Sequence, residues 1–149
     1  MHIKWADAAD IEALVANRME FLQSIGPVPG ASELALAIRH YLQQHIVDGS
    51  VLFPFFVEQG RIVSSCCLCI SQTLPTTSVP SGKEGLLLNV YTIPEYRRQG
   101  LARKLICALM EEARKLGVGK ITLDFTDEGY PLYLSLGFQK NDRIMELML

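Results

Sequence analysis

The chain has 149 residues and lacks the features that mark several large classes of protein. It contains no run of about 18 apolar residues, so we expect no membrane-spanning helix. Its N-terminal stretch MHIKWADAADIEA has no apolar centre of the kind found in secretory signals. The net charge is −2, and this balance gives no reason to expect a nucleic-acid partner. The sequence therefore predicts a cytoplasmic protein whose partners include neither a membrane nor a nucleic acid.

Cysteine is scarce, and three of the four cysteines (Cys66, Cys67 and Cys69) crowd into one apolar stretch. Neighbouring residues of a strand point to opposite faces, so Cys67 and Cys69 share one face while Cys66 lies on the other. A zinc site would need a second cysteine or histidine pair at a suitable spacing, and none is visible. We therefore expect no metal and interpret these residues as reduced, small apolar side chains, with a redox or metal role as the alternative.

Hydrophobic residues make up 49% of the chain and charged residues 20%, so we expect one folded domain over residues 1–149. Asp7 is predicted to cap the first helix, with Asp10 three residues later. Gln59-Gly60 predicts a hairpin turn. The apolar periodicity predicts strands at 3–6, 51–58, 61–71, 86–92, 121–126 and 138–149, helices from 7, from 32, over 100–116 and over 130–136, and a loop at 73–85. This order is that of an α/β fold with antiparallel hairpins and one β-α-β crossover.

The most informative part of the sequence is a short basic turn between a strand and a helix, Arg97-Arg98-Gln99-Gly100-Leu101-Ala102. The first N–H groups of a helix have no intrahelical partner, and the helix dipole adds a partial positive charge there, so the turn suits a pyrophosphate. Gly100 lacks the Cβ that would hold a phosphate away from the backbone. The turn is neither a Walker A loop nor a G-x-G-x-x-G loop, because no Lys-Ser/Thr pair follows and only one glycine is present.

With its flanks, VYTIPEYRRQGLARKL, this turn resembles the [RQ]-x-x-G-x-[GA] pyrophosphate loop of the GNAT superfamily of acyl-CoA N-acyltransferases. A second block, LYLSLGF at 132–138, resembles the L-Y-x-x-L-G-F element of that superfamily and follows in the same order. The resemblance implies a mixed central sheet of about six to seven strands with flanking helices. It also implies that the central parallel strands, 86–92 and 121–126, splay apart.

The resemblance further implies acetyl-CoA as a co-substrate, held between the splayed strands. Its pantetheine arm would follow the backbone of Val90, Tyr91 and Thr92. The residues expected around the pyrophosphate are Arg97, Arg98, Gln99, Gly100, Leu101, Ala102 and Arg103.

The activity implied is transfer of the acetyl group to a primary amine of a small molecule or peptide by direct attack. Tyr133 is the expected catalytic residue, because a phenol is protonated at neutral pH and can donate to the departing thiolate. The alternative is that Tyr133 only packs and positions the thioester. Polarisation of the carbonyl would fall to a backbone N–H of the splayed strand, that of Val90. The general base stays open among Glu20, Glu84, Asp124 and a water chain, because Leu86-Leu87-Leu88-Asn89 contains no acid.

Arg18 falls among the apolar residues of the first predicted helix. Either its stem extends to the surface, or its guanidinium faces the acceptor and binds a carboxylate, which would favour an amino-carboxylate substrate. Asn89 is expected to line the same region, and a homodimer is a possible assembly. The competing function is an acetyl-CoA sensor without turnover. The missing strand carboxylate favours the sensor, and the presence of Tyr133 favours the enzyme.

Overall fold

The computed structural model describes all residues from 1 to 149. The strands are β1 (Lys4–Trp5), β2 (Val51–Leu52), β3 (Pro54–Glu58), β4 (Arg61–Gln72), β5 (Lys83–Thr92) and β6 (Lys120–Thr122). The helices are α1 (Ile11–Ile25), α2 (Ala31–His45), α3 (Leu101–Lys115) and α4 (Tyr130–Ser135), with short 3-10 turns at Ala8–Asp10 and Pro94–Tyr96. These elements form the mixed α/β architecture that the sequence predicted.

The six strands form one sheet in the order β1-β3-β4-β5-β6, with β2 paired to the far part of β4. All neighbouring pairs are antiparallel except β5 and β6, which are parallel and joined through α3. Gln59 and Gly60 both have positive φ angles, 51° and 74°, and close the hairpin between β3 and β4. This pair of left-handed residues fits a tight two-residue hairpin, as the sequence indicated.

Helices cover both faces of the sheet, and each face has its own core. One core joins α3 to β4 through side chains that include Leu105, Ile106 and Leu68. The other joins α1 and α2 to the opposite face through side chains that include Leu14, Leu42 and Phe55. Cys66 belongs to the first core and Cys67 to the second, which confirms the predicted division of the cysteines between the two faces.

The start of α1 is fixed by the predicted capping residues. The Asp7 side chain accepts from the N–H of Ala9, and the Asp10 side chain accepts from the N–H of Asp7, which together form a capping box. The predicted first helical turn is a 3-10 turn, and α1 itself begins at Ile11. None of the helices combines the length and the apolar character needed to span a bilayer.

The structure corrects several predicted ranges. The strand predicted at 51–58 is interrupted at Phe53, just before Pro54, which has no N–H to donate to a ladder. β5 begins at Lys83 rather than at 86, because Gln72 and Lys83 extend the ladder with β4. β6 ends at Thr122 rather than at 126.

The predicted terminal strand at 138–149 is wrong. The segment has no regular structure, and its last apolar residues, from 144 to 149, are largely exposed. Apolar residues at strand spacing indicate only which side chains would share a face. A strand also needs a neighbour that pairs with its backbone N–H and C=O groups.

Candidate functional site

Six consecutive backbone N–H groups, those of residues 98–103, point to no acceptor within the chain. They lie where the chain passes from β5 through the Pro94–Tyr96 turn into α3, and the first helical hydrogen bond runs from the N–H of Lys104 to the carbonyl of Gly100. Residues 97–100 are exposed, so these donors are open to a ligand. A row of free amides at a helix N-terminus is suited to bind an anion with several oxygens, such as a pyrophosphate.

Two left-handed residues shape this turn. Arg98 has φ 62° and Gly100 has φ 75°, and Gly100 directly precedes the first residue of α3. A Cβ built on Gly100 would meet nothing within 4 Å, so the space in front of it is free. Glycine at this position therefore permits the left-handed backbone and leaves the approach to the amides open.

The basic side chains around the turn have different surroundings. Nε of Arg97 donates to the carbonyl oxygen of Thr92 at 2.9 Å, which ties the turn back to the end of β5. Nη2 of Arg103 donates to the hydroxyl of Ser135, which links α3 to α4. Arg98 forms no hydrogen bond or ion pair and is exposed, so its charge is free to reach a bound phosphate.

The sheet opens beside this turn. β5 and β6 pair only at Glu84–Lys120, Gly85–Ile121 and Leu86–Thr122, and no ladder joins them beyond Leu86. The remaining part of β5, which includes Val90 and Thr92, is therefore unpaired on that side. An extended ligand can bond to such a free strand edge as an added strand would.

A bulge in β5 lies at this opening. Cys67 pairs with Leu88 and Ser65 with Tyr91, so Asn89 and Val90 together face the single residue Cys66. Asn89 has φ 54°, a left-handed conformation that asparagine tolerates better than most residues. A bulge bends its strand and increases the local twist, and this one follows closely after the last pair of β5 with β6.

The side chain of Asn89 is buried in a polar cluster with Asn17 of α1 and Ser65 of β4. Nδ2 of Asn89 donates to Oδ1 of Asn17 and to Oγ of Ser65, each at 3.0 Å. Oγ of Ser65 donates to the same Asn17 oxygen at 2.8 Å. Asn89 is only 3% exposed, so its amide holds the bulge to α1. Ser65 has no motif in the sequence that marks it, whereas Asn17 is visible as a polar residue beside the apolar stripe of α1.

Arg18 lies next to this cluster. Its Nη1 is 3.5 Å from Oδ1 of Asn89, and its guanidinium lies over the ring of Phe21 at 5.8 Å from the centroid. Burial lowers the pKa of the guanidinium, whereas the nearby thiols of Cys67 and Cys69 raise it.

No carboxylate lies within ion-pair distance of Arg18. Arg39 and Arg61 differ in this respect, because they contact Glu12 and Glu20. Arg18 therefore brings a half-buried positive charge without an acidic partner to this face of the sheet.

Tyr133 lies on α4, half-buried. Burial raises the pKa of its phenol, and the neighbouring Cys66 thiol adds to the rise, so the hydroxyl stays protonated at neutral pH. The ring packs edge-on against Phe138 at 5.9 Å between centroids. A Cβ on Gly129 would lie 2.9 Å from Cε2 of Tyr133, so this glycine makes room for the ring.

The other predicted site residues have fixed environments. Tyr91 packs its ring against Phe21 and donates its hydroxyl to Glu20 at 3.0 Å, so its side chain is not free to meet a ligand. Glu20 also contacts Arg61, and Glu84 pairs with Lys120 at 2.8 Å. Asp124 is exposed beyond the end of β6. None of these carboxylates stands free beside Arg18.

A cavity of about 1170 Å³ lies between α3, β6, α4 and the segment that follows. Tyr133 lines it, but residues 97–103 do not. It therefore lies apart from the row of free amides and adds no anion-binding group to it.

Comparisons with known proteins identify a family that matches most of the chain. The sequence model of the Acetyltransferase (GNAT) family matches residues 18–138. The chain is 30% identical over 138 residues to glucosamine 6-phosphate N-acetyltransferase of Trypanosoma brucei brucei, which covers 91% of this chain and 90% of that protein.

Two solved structures share the fold. A predicted acetyltransferase from Clostridium acetobutylicum, crystallised with acetyl-CoA, superposes with a TM-score of 0.91 at 26% identity over 99% of this chain and 95% of that one. A GCN5-related N-acetyltransferase from Ralstonia eutropha JMP134 gives 0.85 at 22% identity, over 99% and 97% of the two chains.

Proposed function

This chain belongs to the acetyltransferase (GNAT) family and is an acetyl-CoA-dependent acyltransferase, and we propose that it acetylates a primary amine of a small molecule that carries an anionic group. The observation that carries the proposal is the row of free N–H groups at residues 98–103 beside the opening between β5 and β6. The half-buried Arg18 on the other side of β5 supports the anionic acceptor.

The residues present fit acetyl-CoA. The amides of residues 98–103 would bind the pyrophosphate, Gly100 leaves the space before them free, and Arg98 adds charge. The unpaired backbone of β5 at Val90 and Thr92 would hold the pantetheine arm. When bound, the group supplies an acetyl thioester, and every other requirement of the reaction falls on the protein.

Acyl transfer needs a donor for the developing negative charge and a proton for the departing thiolate. A backbone N–H on the unpaired part of β5, at Val90, would donate to the thioester oxygen. Tyr133 would give its proton to the thiolate, a role suited to a phenol that burial keeps protonated. Ser64 and Thr92 join their hydroxyls at 2.8 Å and hold β4 to β5 next to this point.

No dedicated base is required by the proposal. Glu20, Glu84 and Asp124 are either paired or exposed. Holding the amine against the thioester is by itself worth several kcal/mol, up to ~7–11 in the most favourable intramolecular reactions. The amine proton would therefore pass to water at the open side of the acceptor pocket.

Arg18 defines the acceptor class. A guanidinium partly removed from water is only incompletely compensated by the nearby cysteines, because no carboxylate contacts it, and an anion on the substrate would relieve the remaining cost. A phosphate or a carboxylate would serve. The name of the Trypanosoma relative, an N-acetyltransferase of an amino-sugar phosphate, makes glucosamine 6-phosphate the first acceptor to test.

The test is an acetylation panel read by mass spectrometry of the product, because the four free cysteines of the chain would react with a thiol dye. The panel pairs anionic amines with neutral counterparts: glucosamine 6-phosphate with glucosamine, and an amino acid with its amide. Faster acetylation of the anionic member of each pair supports the proposal. Equal or reversed rates contradict the anionic acceptor, and no acetylation of any amine despite acetyl-CoA binding favours the sensor.

The remaining predictions are part of the same proposal. They are a single domain over 1–149, a cytoplasmic location, a possible homodimer, and the lack of metal, membrane and nucleic-acid partners.

A further inference from the structure

Two thiols lie together on the α1/α2 face of the sheet, and acetyl transfer does not use them. The Sγ atoms of Cys67 and Cys69 are 4.0 Å apart on β4. Cys67 is buried at 6% exposure, whereas Cys69 is partly exposed. We propose that they form a peroxide-reactive dithiol, with Cys69 as the attacking thiolate, Cys67 as the resolving thiol and Arg18 as the cation that stabilises the thiolate.

The surroundings of Cys69 favour its thiolate. A hydrogen bond from the Cys67 thiol lowers the pKa of Cys69 to about 6 against the effect of burial, and the hydroxyl of Tyr41, Arg18 and His45 add to the lowering. The pKa of Cys67 is raised well above its usual value by its contact with Cys69 and by burial. One accessible thiolate beside one protonated thiol is the arrangement of redox-sensitive cysteine pairs.

The other two cysteines lack this arrangement. Cys66 points to the opposite face, where burial raises the pKa of its thiol. Cys107 lies on α3, on the far side of the sheet from Arg18. The proposed dithiol is therefore confined to Cys67 and Cys69. Cys66 and Cys107 serve as internal controls for thiol reactivity.

The disulfide would need a local movement of β4, because the two Sγ atoms must approach from 4.0 Å to about 2.05 Å. Residues two apart in a strand have Cα atoms roughly 6.6 Å apart, near the upper limit of about 6.8 Å for a disulfide, and their nearly parallel Cα–Cβ bonds leave the Cβ atoms beyond the usual Cβ spacing of about 3.5–4.5 Å. A bond formed there is strained and is readily reduced by thiols.

The oxidant is a hydroperoxide. The Cys69 thiolate attacks one peroxide oxygen, the O–O bond breaks, and the leaving hydroxide takes a proton to become water. The Cys67 sulfur then attacks the sulfenic sulfur of Cys69, the S–S bond forms as the S–O bond breaks, and the hydroxyl group leaves with the Cys67 proton as a second water. Two thiols lose two electrons in total, and hydrogen peroxide is reduced to two waters.

The first experiment measures alkylation of the reduced, full-length protein by iodoacetamide over a range of pH, with each cysteine followed by peptide mass spectrometry. Cys69 is expected to react near neutral pH well before Cys107. Arg18→Gln is expected to slow the reaction of Cys69 by up to about tenfold, the effect of one pKa unit on the thiolate fraction. Equal rates for Cys69 and Cys107, or no effect of Arg18→Gln, would overturn the assigned roles.

The second experiment adds hydrogen peroxide and maps the products. The wild type and Cys66→Ala are expected to lose two hydrogens and to recover them with a dithiol reductant. Cys67→Ser should hold a sulfenic acid that dimedone traps on residue 69, and Cys69→Ser should form neither product. Loss of the disulfide in Cys66→Ala, or its formation in Cys69→Ser, contradicts the proposal. Circular dichroism confirms that each variant is folded, and no step uses acetyl-CoA, so the outcome is independent of the proposed function.

Discussion

Nη1 of Arg18 lies 3.5 Å from Oδ1 of Asn89, so α1 and the bulge of β5 meet at one point. The amide nitrogen of Asn89 is committed to Asn17 and Ser65, which leaves its oxygen directed at the guanidinium. The residue at the bulge of β5 thus also contacts the one half-buried arginine that has no carboxylate partner. Asn89 lies between the opening beside β5 and the proposed acceptor pocket.

Arg18→Gln is expected to raise KM for an anionic acceptor. Hydrogen bonds to charged groups are worth about 1.5–3 kcal/mol, so kcat/KM should fall roughly tenfold to a hundredfold. The neutral counterpart of the same acceptor should lose little. Steady-state kinetics on the pair gives the answer, with Arg39→Gln, which breaks only an exposed ion pair with Glu12, as the control. An equal loss for both acceptors would mean that Arg18 shapes the pocket without binding the anion.

Asn17→Ala should destabilise the fold. The Asn17 oxygen accepts from both Ser65 and Asn89, and its removal leaves two buried donors with one acceptor fewer. A buried polar group without its partner costs about 1–3 kcal/mol. Urea unfolding with an unchanged slope would report this loss, and Ser24→Ala, which removes an exposed hydroxyl from the same helix, should change little. A loss no larger than that of Ser24→Ala would show that water replaces the missing oxygen.

The sequence patterns predicted the correct local structure where the residues of one short segment determine it. Asp7 and Asp10 form their capping box, Gln59-Gly60 closes its hairpin, and the turn at Gly100 exposes its amides. The bulge at Asn89 could not be predicted in this way. Its extra residue exists only relative to the register of β4, and nothing in Leu88-Asn89-Val90 alone specifies that register.

The same reason explains the failed prediction for 138–149. Its apolar residues have strand spacing, but the structure pairs its backbone with no neighbour. Arg18 shows the converse case, because the sequence placed it on the apolar face of α1 but left its direction open. The tertiary contact with Asn89 settles that direction, together with Phe21 three residues later on the same helix.

Acetyl-CoA should raise the melting temperature of the protein, because it binds the folded amides and not the unfolded chain. At 100 times Kd the gain is about 2.7 kcal/mol. Gly100→Glu should remove this gain, since its side chain would occupy the open space before the amides with a negative charge. Gly60→Glu is the matched control: its φ of 74° is close to the 75° of Gly100 and its Cβ also meets nothing within 4 Å. A shift retained in Gly100→Glu would place the pyrophosphate elsewhere.

Tyr133→Phe should lower kcat with little change in KM or in the acetyl-CoA shift. The ring keeps its packing against Phe138, and only the hydroxyl is lost. General acid catalysis is typically worth ~10²–10⁴-fold, and we expect the lower end because a thiolate is a fair leaving group. Tyr130→Phe is the control on the same helix, because the Tyr130 ring packs against Phe125 instead. If kcat of Tyr133→Phe stays within about twofold of wild type, the thiolate takes its proton from water, and Tyr133 acts only by packing beside the thioester.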